Sequence, residues 1–536
     1  MTLVYLLRDF LDFSHGELYN QCRICFFGKG AEALERTILE YLEKTAERYP
    51  EGIAFADDSR EVSFRELVER TRRIGSTILS CKGFRKGPVA VLTGRTVESV
   101  EGYLGALYAG CAYVPVDSAM PINRMSDILE QIDPVALLYG QKDGKVIEKL
   151  ELSCPMLSVS ASAESPIDEE GLQRARENAL DLDPAYMIFT SGSTGKPKGI
   201  LISHRSLMDF ILWYEEITGV THEDRLGNQA PFFFDLSVKD LHLTLRTGAT
   251  TYILPKKCFL FPKLLVDTLN EKKITTLSWA TAAFHMVANS GVLEKYVPQY
   301  LKRVLLGGEA LQAKQLNIWR RALPNVQYTN LYGPTEVTVD CTWYPIEREF
   351  ADHEPIPIGK ACANKEVFLL TEENTLAPIG EPGEICVRGS GLAIGYFGDW
   401  EKTNAAFVQN PLNPLYPDRM YRTGDIGALT ESGDILFLSR KDSQIKFMGY
   451  RIELGEIETA LNSIPGIRAA VCLFHKEQDK LLAVYEGDLT GTELAKALTG
   501  ALPKYMIPTD YHSLPTMPRL PNGKLDRNKL KEEFLR

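Results

Sequence analysis

Between Tyr186 and Gly199 the chain reads Tyr-Met-Ile-Phe-Thr-Ser-Gly-Ser-Thr-Gly-Lys-Pro-Lys-Gly, an apolar run that opens into hydroxyls, glycines and two lysines. Thr190, Ser191, Ser193 and Thr194 offer hydroxyl donors, and Gly192, Gly195 and Gly199 let backbone N–H groups come close to an oxyanion. Lys196 and Lys198 add positive charge. Together these groups suit the phosphates of ATP. The spacing is not that of a P-loop, because Thr190 stands where the first glycine would be and a proline follows Lys196. A surface turn rich in small residues would have the same composition, so the loop alone does not decide the matter.

A buried strand from Tyr186 to Phe189 has to deliver that loop, and the chain before it alternates helix and strand. Leu34, Ile38, Tyr41, Leu42 and Ala46 fall at helical spacing, ending at Tyr49-Pro50. Ser63 and Glu66 predict a capping box for a second helix. Pro88 to Thr93, Tyr113 to Val116 and Val135 to Tyr139 read as strands, which argues for an α/β sheet architecture. Ser158 to Asp183 is polar and is expected to be an exposed connection between two sheet layers. The last hundred or so residues alternate short strands and helices and finish in a Pro-rich stretch, Pro515 to Pro521, with a basic tail. The expected organisation is a segment over 1–33 without a reading, a large multi-sheet domain over 34–441 and a small mobile α+β domain over 442–536.

With 536 residues the chain exceeds one comfortable core, and 44% hydrophobic and 24% charged residues are the proportions of an ordinary soluble protein. Sixty basic against 71 acidic residues leave a net charge of −11, which gives no support to nucleic-acid binding or to anionic membranes. The ten cysteines are dispersed, and the Cys22/Cys25 pair has no second ligand pair at zinc-like spacing, so reduced thiols are expected. Leu3 to Leu7 is too short an apolar patch for a signal peptide, and no apolar run reaches the ~18 residues of a membrane span. The expectation is a cytoplasmic enzyme.

Five further motifs follow the loop: Phe234-Asp235-Leu236-Ser237, Gly307-Gly308-Glu309, Asn330-Leu331-Tyr332-Gly333-Pro334-Thr335-Glu336, Tyr421-Arg422-Thr423-Gly424-Asp425 and Pro521-Asn522-Gly523-Lys524-Leu525-Asp526-Arg527. In that order they resemble the adenylate-forming superfamily, which comprises nonribosomal peptide synthetase adenylation domains, acyl-CoA synthetases and luciferases. The resemblance runs from about residue 34 to the end. It implies ATP and Mg²⁺ as cofactors and a two-step reaction, in which a carboxylate attacks the α-phosphorus of ATP to give an acyl adenylate and pyrophosphate, and a thiol then displaces AMP.

Residue by residue, the resemblance assigns phosphate binding to Thr190, Ser191, Gly192, Ser193, Thr194, Gly195 and Lys198, with Gly308 and Glu309 also at the nucleotide. Tyr332 offers an aromatic face for adenine, and Thr335 a hydroxyl for the α-phosphate. Glu336 is a hard oxygen ligand suited to Mg²⁺. Asp425 suits the ribose hydroxyls, with Arg440 nearby. Lys524 is the expected catalytic cation, because a fixed ammonium in a dry cleft stabilises the charge that spreads over the α-phosphate. Asp442 matches the hinge about which the small domain turns, withdrawing Lys524 and bringing the Gly449-Tyr450-Arg451 segment to the acyl site. Ser439 stands where the family usually has glycine.

Asp235 matches the aspartate that holds the substrate ammonium in members activating α-amino acids. It also occupies an N-cap position for a helix from Leu236. The remaining acyl-pocket positions are Leu236, Lys239, Ser278, Leu305, Gly307, Leu331, Val339 and Asp340, with Lys524. An unpaired buried ammonium is costly, so Lys239 should meet a substrate carboxylate or Asp340. The first outcome points to glutamate or a similar polar amino acid. The second leaves room for a smaller residue such as alanine, and Phe234-Asp235-Leu236-Ser237-Val238 also resembles D-alanine carrier-protein ligases. The polar substrate ranks slightly ahead.

No carrier-domain serine motif follows Lys524, so transfer in trans to a separate phosphopantetheinyl carrier protein is expected, with coenzyme A as the competing acceptor. An acyl- or aryl-CoA ligase is the alternative activity. A luciferase-like oxidase and a non-catalytic nucleotide-binding module fit less well, since nothing signals oxygen chemistry and the motif residues are intact.

Overall fold

Val89–Thr93 is buried at every position and apolar from Val89 to Leu92, the pattern of a strand covered on both faces. It lies within a seven-stranded sheet ordered Gly395–Tyr396, Lys198–Ser203, Pro184–Thr190, Tyr113–Asp117, Val89–Thr93, Ala136–Tyr139, Met156–Ser158. The computed structural model describes residues 35–191, 197–441, 444–519 and 525–535. From Thr37 onward the chain forms one compact unit. The expected positions Gly192, Ser193, Thr194, Gly195, Lys196, Asp442 and Lys524, and the segment 1–33, lie outside the described residues.

A second, nine-stranded sheet runs Lys360–Ala361, Thr342–Pro345, Gln327–Tyr332, Arg303–Gly307, Thr276–Ala280, Arg225–Asn228, Thr250–Ile253, Ile53–Ala56, Glu61–Ser63. Its central strands are parallel, so the ends at Ala280, Gly307 and Tyr332 share one edge, where an open α/β sheet binds ligands. The helices Phe64–Leu79 and Val97–Tyr108 pack closely beside these sheets. A Cβ on Gly105 would come within 2.3 Å of Ile74, so the contact requires glycine there. An antiparallel five-stranded sheet over 365–440 completes the large region.

After residue 443 come a hairpin, Gln444–Phe447 with Tyr450–Glu453, the helix Leu454–Asn462 and a three-stranded sheet of Ile467–His475, Lys480–Gly487 and Asp510–Ser513. Phe447, Ile452, Ile457, Leu461 and Leu481 form part of a core of their own there.

The first expected helix is found at Leu39–Arg48, and at Ser63 one half of the expected capping box forms: Ser63 Oγ accepts the Glu66 amide at 3.2 Å, without the reciprocal bond from the Glu66 side chain. One expectation is corrected. Residues 158–183 do not join two sheet layers: they carry the helices Val159–Ser162 and Glu169–Glu177 and lead from the edge strand Met156–Ser158 to Pro184–Thr190 in the same sheet. The edge strand is three residues long and incompletely buried, so it leaves little hydrophobic pattern to read. No helix among the described residues is long and apolar enough to cross a membrane.

Candidate functional site

The strand Gln327–Tyr332 ends in a tight turn that carries Thr335 and Glu336 to the ligand edge of the larger sheet. Glu336 is fully buried. Its Oε1 accepts from Lys198 Nζ at 3.3 Å and from the Tyr396 hydroxyl at 2.9 Å, and its Oε2 accepts from Arg451 at 2.5 Å. Burial alone would push this carboxyl up, but Arg451 and Lys198 outweigh it and hold the group well below the usual carboxylate range. Lys198 is pushed down by burial and then by Arg451, with Glu336 opposing the shift.

Arg451 arrives from the small region on the hairpin strand Tyr450–Glu453. The same hairpin is fastened to the large region at three further points. Ser191 Oγ donates to the Arg451 carbonyl at 2.7 Å and accepts the Glu453 amide at 3.1 Å. Gly449 donates its N–H to Glu309 at 2.6 Å. Its φ of +82° and the Ala280 methyl, 3.1 Å from where a Cβ would sit, leave place only for glycine. Tyr450 meets Phe234 edge to face at 4.7 Å. Burial raises the Glu309 carboxyl to about 7.

Among the expected nucleotide residues, the Tyr332 hydroxyl donates to Asp425 at 2.5 Å, and Arg440 pairs with the other oxygen of that carboxylate. Lys446 lies with its ammonium 5.5 Å from the Tyr332 ring centre. Thr190 Oγ1 is buried with no hydrogen-bond partner among the described residues. Gly308 has a φ of +96°, so it takes a turn that a side chain would strain.

Asp235 stands at the N-cap position of the helix Leu236–Thr247, yet its side chain makes no capping bond. It accepts instead from Thr335 Oγ1 at 2.6 Å. Burial raises its carboxyl and the Thr335 hydrogen bond opposes that shift. No salt bridge to Asp235 exists among the described residues. Lys239, one turn along, is fully buried and pairs with Asp340 at 3.1 Å, with its ammonium 5.9 Å from the Tyr214 ring centre. Ser278 Oγ accepts from the Tyr214 hydroxyl at 2.9 Å. Leu236, Leu305, Leu331 and Val339 are buried apolar neighbours in the core. A Cβ on Gly307 would sit 3.4 Å from the Leu331 carbonyl and 3.6 Å from Asp340, ordinary contact distances that place Gly307 beside both residues.

The described members of the expected set thus form two adjoining groups. Thr335 and Glu336 link them, the first reaching Asp235 and the second Lys198. Three contributors had no signal in the sequence: Tyr396 on Glu336, Tyr214 beside Lys239, and Arg451 as a counter-ion, 115 residues from its carboxylate. Among the described residues no group of three or more His, Cys, Asp or Glu could hold a metal ion.

The AMP-binding enzyme family matches residues 42–397. A mycosubtilin synthase chain of Bacillus subtilis is 35% identical over 510 residues, covering 92% of this chain but 19% of that protein. The chain therefore spans about a fifth of that relative. Of the solved structures, PA1221, an NRPS protein containing adenylation and PCP domains, superposes with a TM-score of 0.77 at 25% identity over 93% of this chain and 84% of that one. AB3403, a four-domain nonribosomal peptide synthetase bound to AMP and glycine, gives a TM-score of 0.66 at 32% identity over 92% of this chain and 36% of that one. The chain belongs to the AMP-binding enzyme family and shares the fold of the adenylate-forming superfamily.

Proposed function

We propose that this protein uses ATP to activate a small amino acid as its aminoacyl adenylate, releases pyrophosphate, and passes the acyl group to the phosphopantetheine thiol of a carrier protein. The observation that carries this reading is Asp235, a carboxylate held by a hydroxyl and lacking a salt bridge among the described residues, near the buried side chains of Leu236, Leu305, Leu331 and Val339. A substrate ammonium supplies the missing charge, whereas an aryl or fatty acid leaves it uncompensated.

The pairing of Lys239 with Asp340 favours the small substrate over the glutamate-like one. The pair is already neutral within the protein, so an acidic side chain would have to displace Asp340 from a buried ammonium. That PA1221 contains adenylation and PCP domains, and that AB3403 is bound to AMP and glycine, agree with a carrier acceptor and a small substrate.

Tyr332, Asp425 and Arg440 are proposed to hold the nucleoside, and Thr190, Ser191 and Lys198, with the loop between them, the phosphates. Lys524 is proposed as the adenylation cation and Asp442 as the hinge between domains at 34–441 and 442–536. With the Gly449 hairpin seated, Arg451 and Lys198 already neutralise Glu336, so the carboxylate does not fit a metal ion in this arrangement. Thiol transfer is the step this arrangement suits: the small region brings a glycine backbone to the cleft, where Gly449 donates its N–H to Glu309.

Exchange of labelled pyrophosphate into ATP, run over a panel of amino, aryl and fatty acids, tests the reading. Exchange should be confined to small amino acids, and a thioester should form on a holo carrier protein rather than on coenzyme A. Lys239→Ala should broaden the amino-acid profile. Exchange with aryl or fatty acids and none with amino acids would sink the proposal.

A further inference from the structure

Lys365 is a buried lysine that meets no carboxylate among the described residues. It begins the strand Lys365–Leu370 and is 8% exposed. Its ammonium donates to the carbonyls of Asp340 at 2.5 Å, Val337 at 2.9 Å and Thr338 at 3.4 Å, and lies 5.1 Å from the centre of the Phe210 ring. Three carbonyls from one short stretch of chain converge on one cation, the arrangement a buried ammonium needs when no counter-ion is at hand.

The stretch it gathers is unusual. Thr338 and Val339 take φ values of +59° and +66°, a left-handed conformation that β-branched residues avoid. That turn aims Val339 and Asp340 at the pocket. The Asp340 carboxylate then meets Lys239, while its carbonyl meets Lys365. Phe210 and Tyr214 stack at 5.6 Å, with Lys365 over the first ring and Lys239 over the second. The two lysines therefore bracket Asp340 from opposite ends of one aromatic pair.

The path of Lys365 is also reserved. A Cβ on Gly391 would fall 2.2 Å from Lys365 Cε, and the Gly391 carbonyl accepts from Thr338 Oγ1 at 2.8 Å. Gly391 thus leaves the channel open and ties the other side of the same turn.

We propose that Lys365 is a positioning residue for the acyl pocket: its ammonium binds the carbonyls of Val337, Thr338 and Asp340 and so holds the left-handed turn that presents Asp340 to Lys239. The inference rests on the amino-acid activation reading, since it concerns the selectivity of that pocket.

The test is pyrophosphate exchange by wild type, Lys365→Met, Lys365→Ala and Gly391→Ala, with the KM for amino acid and for ATP measured separately and folding checked by thermal unfolding. Lys365→Met should raise the amino-acid KM about tenfold or more, with the ATP KM held to within about twofold, because misplacing a pocket wall acts on the acyl group and not on the nucleotide. Gly391→Ala, which crowds the same channel while keeping the ammonium, should shift the same constant. Ethylammonium should restore the amino-acid KM of Lys365→Ala, and tetramethylammonium, which has charge but no N–H donor, should not. A folded Lys365→Met with the wild-type amino-acid KM, or with both KM values raised together, overturns the assignment, and if that variant does not fold, Gly391→Ala is judged by the same two outcomes. A wild type that exchanges with no amino acid instead brings down the underlying activity, and the assignment falls with it.

Discussion

Two carboxylates joined through neighbouring residues have opposite electrostatic surroundings. Glu336 is surrounded by cations: Arg451 and Lys198 both reach it, and the Tyr396 hydroxyl fills in beside them. Asp235, bonded to Thr335 beside Glu336, has that hydroxyl as its side-chain hydrogen bond and no salt bridge among the described residues, with Lys239 and Lys446 acting on it only at longer range. The contrast appears in their acidities, Glu336 held well below the carboxylate range and Asp235 raised by burial. Glu336 has its charge balanced by the protein, one cation coming from each side of the cleft. Asp235 has its balance left to something that arrives from outside. A site that binds a substrate ammonium and also seats a moving hairpin needs one carboxylate of each kind.

The largest effect should come from breaking the balanced one. Glu336→Gln leaves Arg451 and Lys198 facing each other in a buried site, and losing one partner of such a pair costs roughly 3–5 kcal/mol. Thermal unfolding should show the loss. The Gly449 amide should exchange with deuterium faster than in wild type, since the hairpin loses its strongest tie. Unchanged protection at Gly449 would mean that Glu336 does not hold the hairpin.

Asp235→Asn removes the charge that the substrate is asked to complete. The cost should appear in amino-acid binding as about 2–5 kcal/mol, the range for truncating one member of a buried charge pair. Thermal stability should barely fall, because asparagine can still accept from Thr335 and no native cation is left unpaired. If Asp235→Asn destabilises the fold as much as Glu336→Gln does, the contrast between the two sites fails.

The sequence held one side of this comparison more plainly than the other. Both carboxylates lie in contiguous motifs, so their places were legible from local residue types. Their partners were not. Arg451 stands 115 residues from Glu336 and Tyr396 stands 60 away, whereas the Lys239 pair with Asp340 was one of the two outcomes expected for a buried ammonium. Helical and strand periodicity report on neighbours a few residues apart, and such pairs are fixed by sheet order instead. The α/β architecture was readable because strands such as Val89–Thr93 are a nearly continuous apolar run, whereas Met156–Ser158 at the sheet edge was not. Lys365 shows the same limit: a lysine at the head of a strand reads as a solvated charge until the carbonyls around it are seen.

Acidity offers a gentler test. A carboxyl raised in the folded state binds its proton at a pH where the unfolded chain has released it, so Asp235 gives up stability as pH rises through its raised pKa. Glu336 has the opposite sign, contributing stability above the usual carboxylate pKa that is lost as pH falls through its depressed one. The same sign applies to binding at Asp235. As pH falls, the amino-acid KM should rise sooner than an ordinary carboxylate with a pKa of about 3.9 would require. Asp235→Asn should flatten that rise, and a profile identical in the two proteins would assign it to another group.

The smallest change asks whether the two sites are coupled. Phe234 precedes Asp235 and meets Tyr450, which precedes Arg451, so one aromatic contact links the ammonium site to the hairpin that serves Glu336. Phe234→Leu keeps the apolar bulk and removes the edge-to-face geometry, worth about 0.5–1.5 kcal/mol. Protection of the Gly449 amide should fall by that amount while the amino-acid KM stays near wild type, because Asp235 keeps its bond to Thr335. Should the KM rise in step with the loss of protection, the two carboxylates respond to one motion, and substrate capture is tied to hairpin seating.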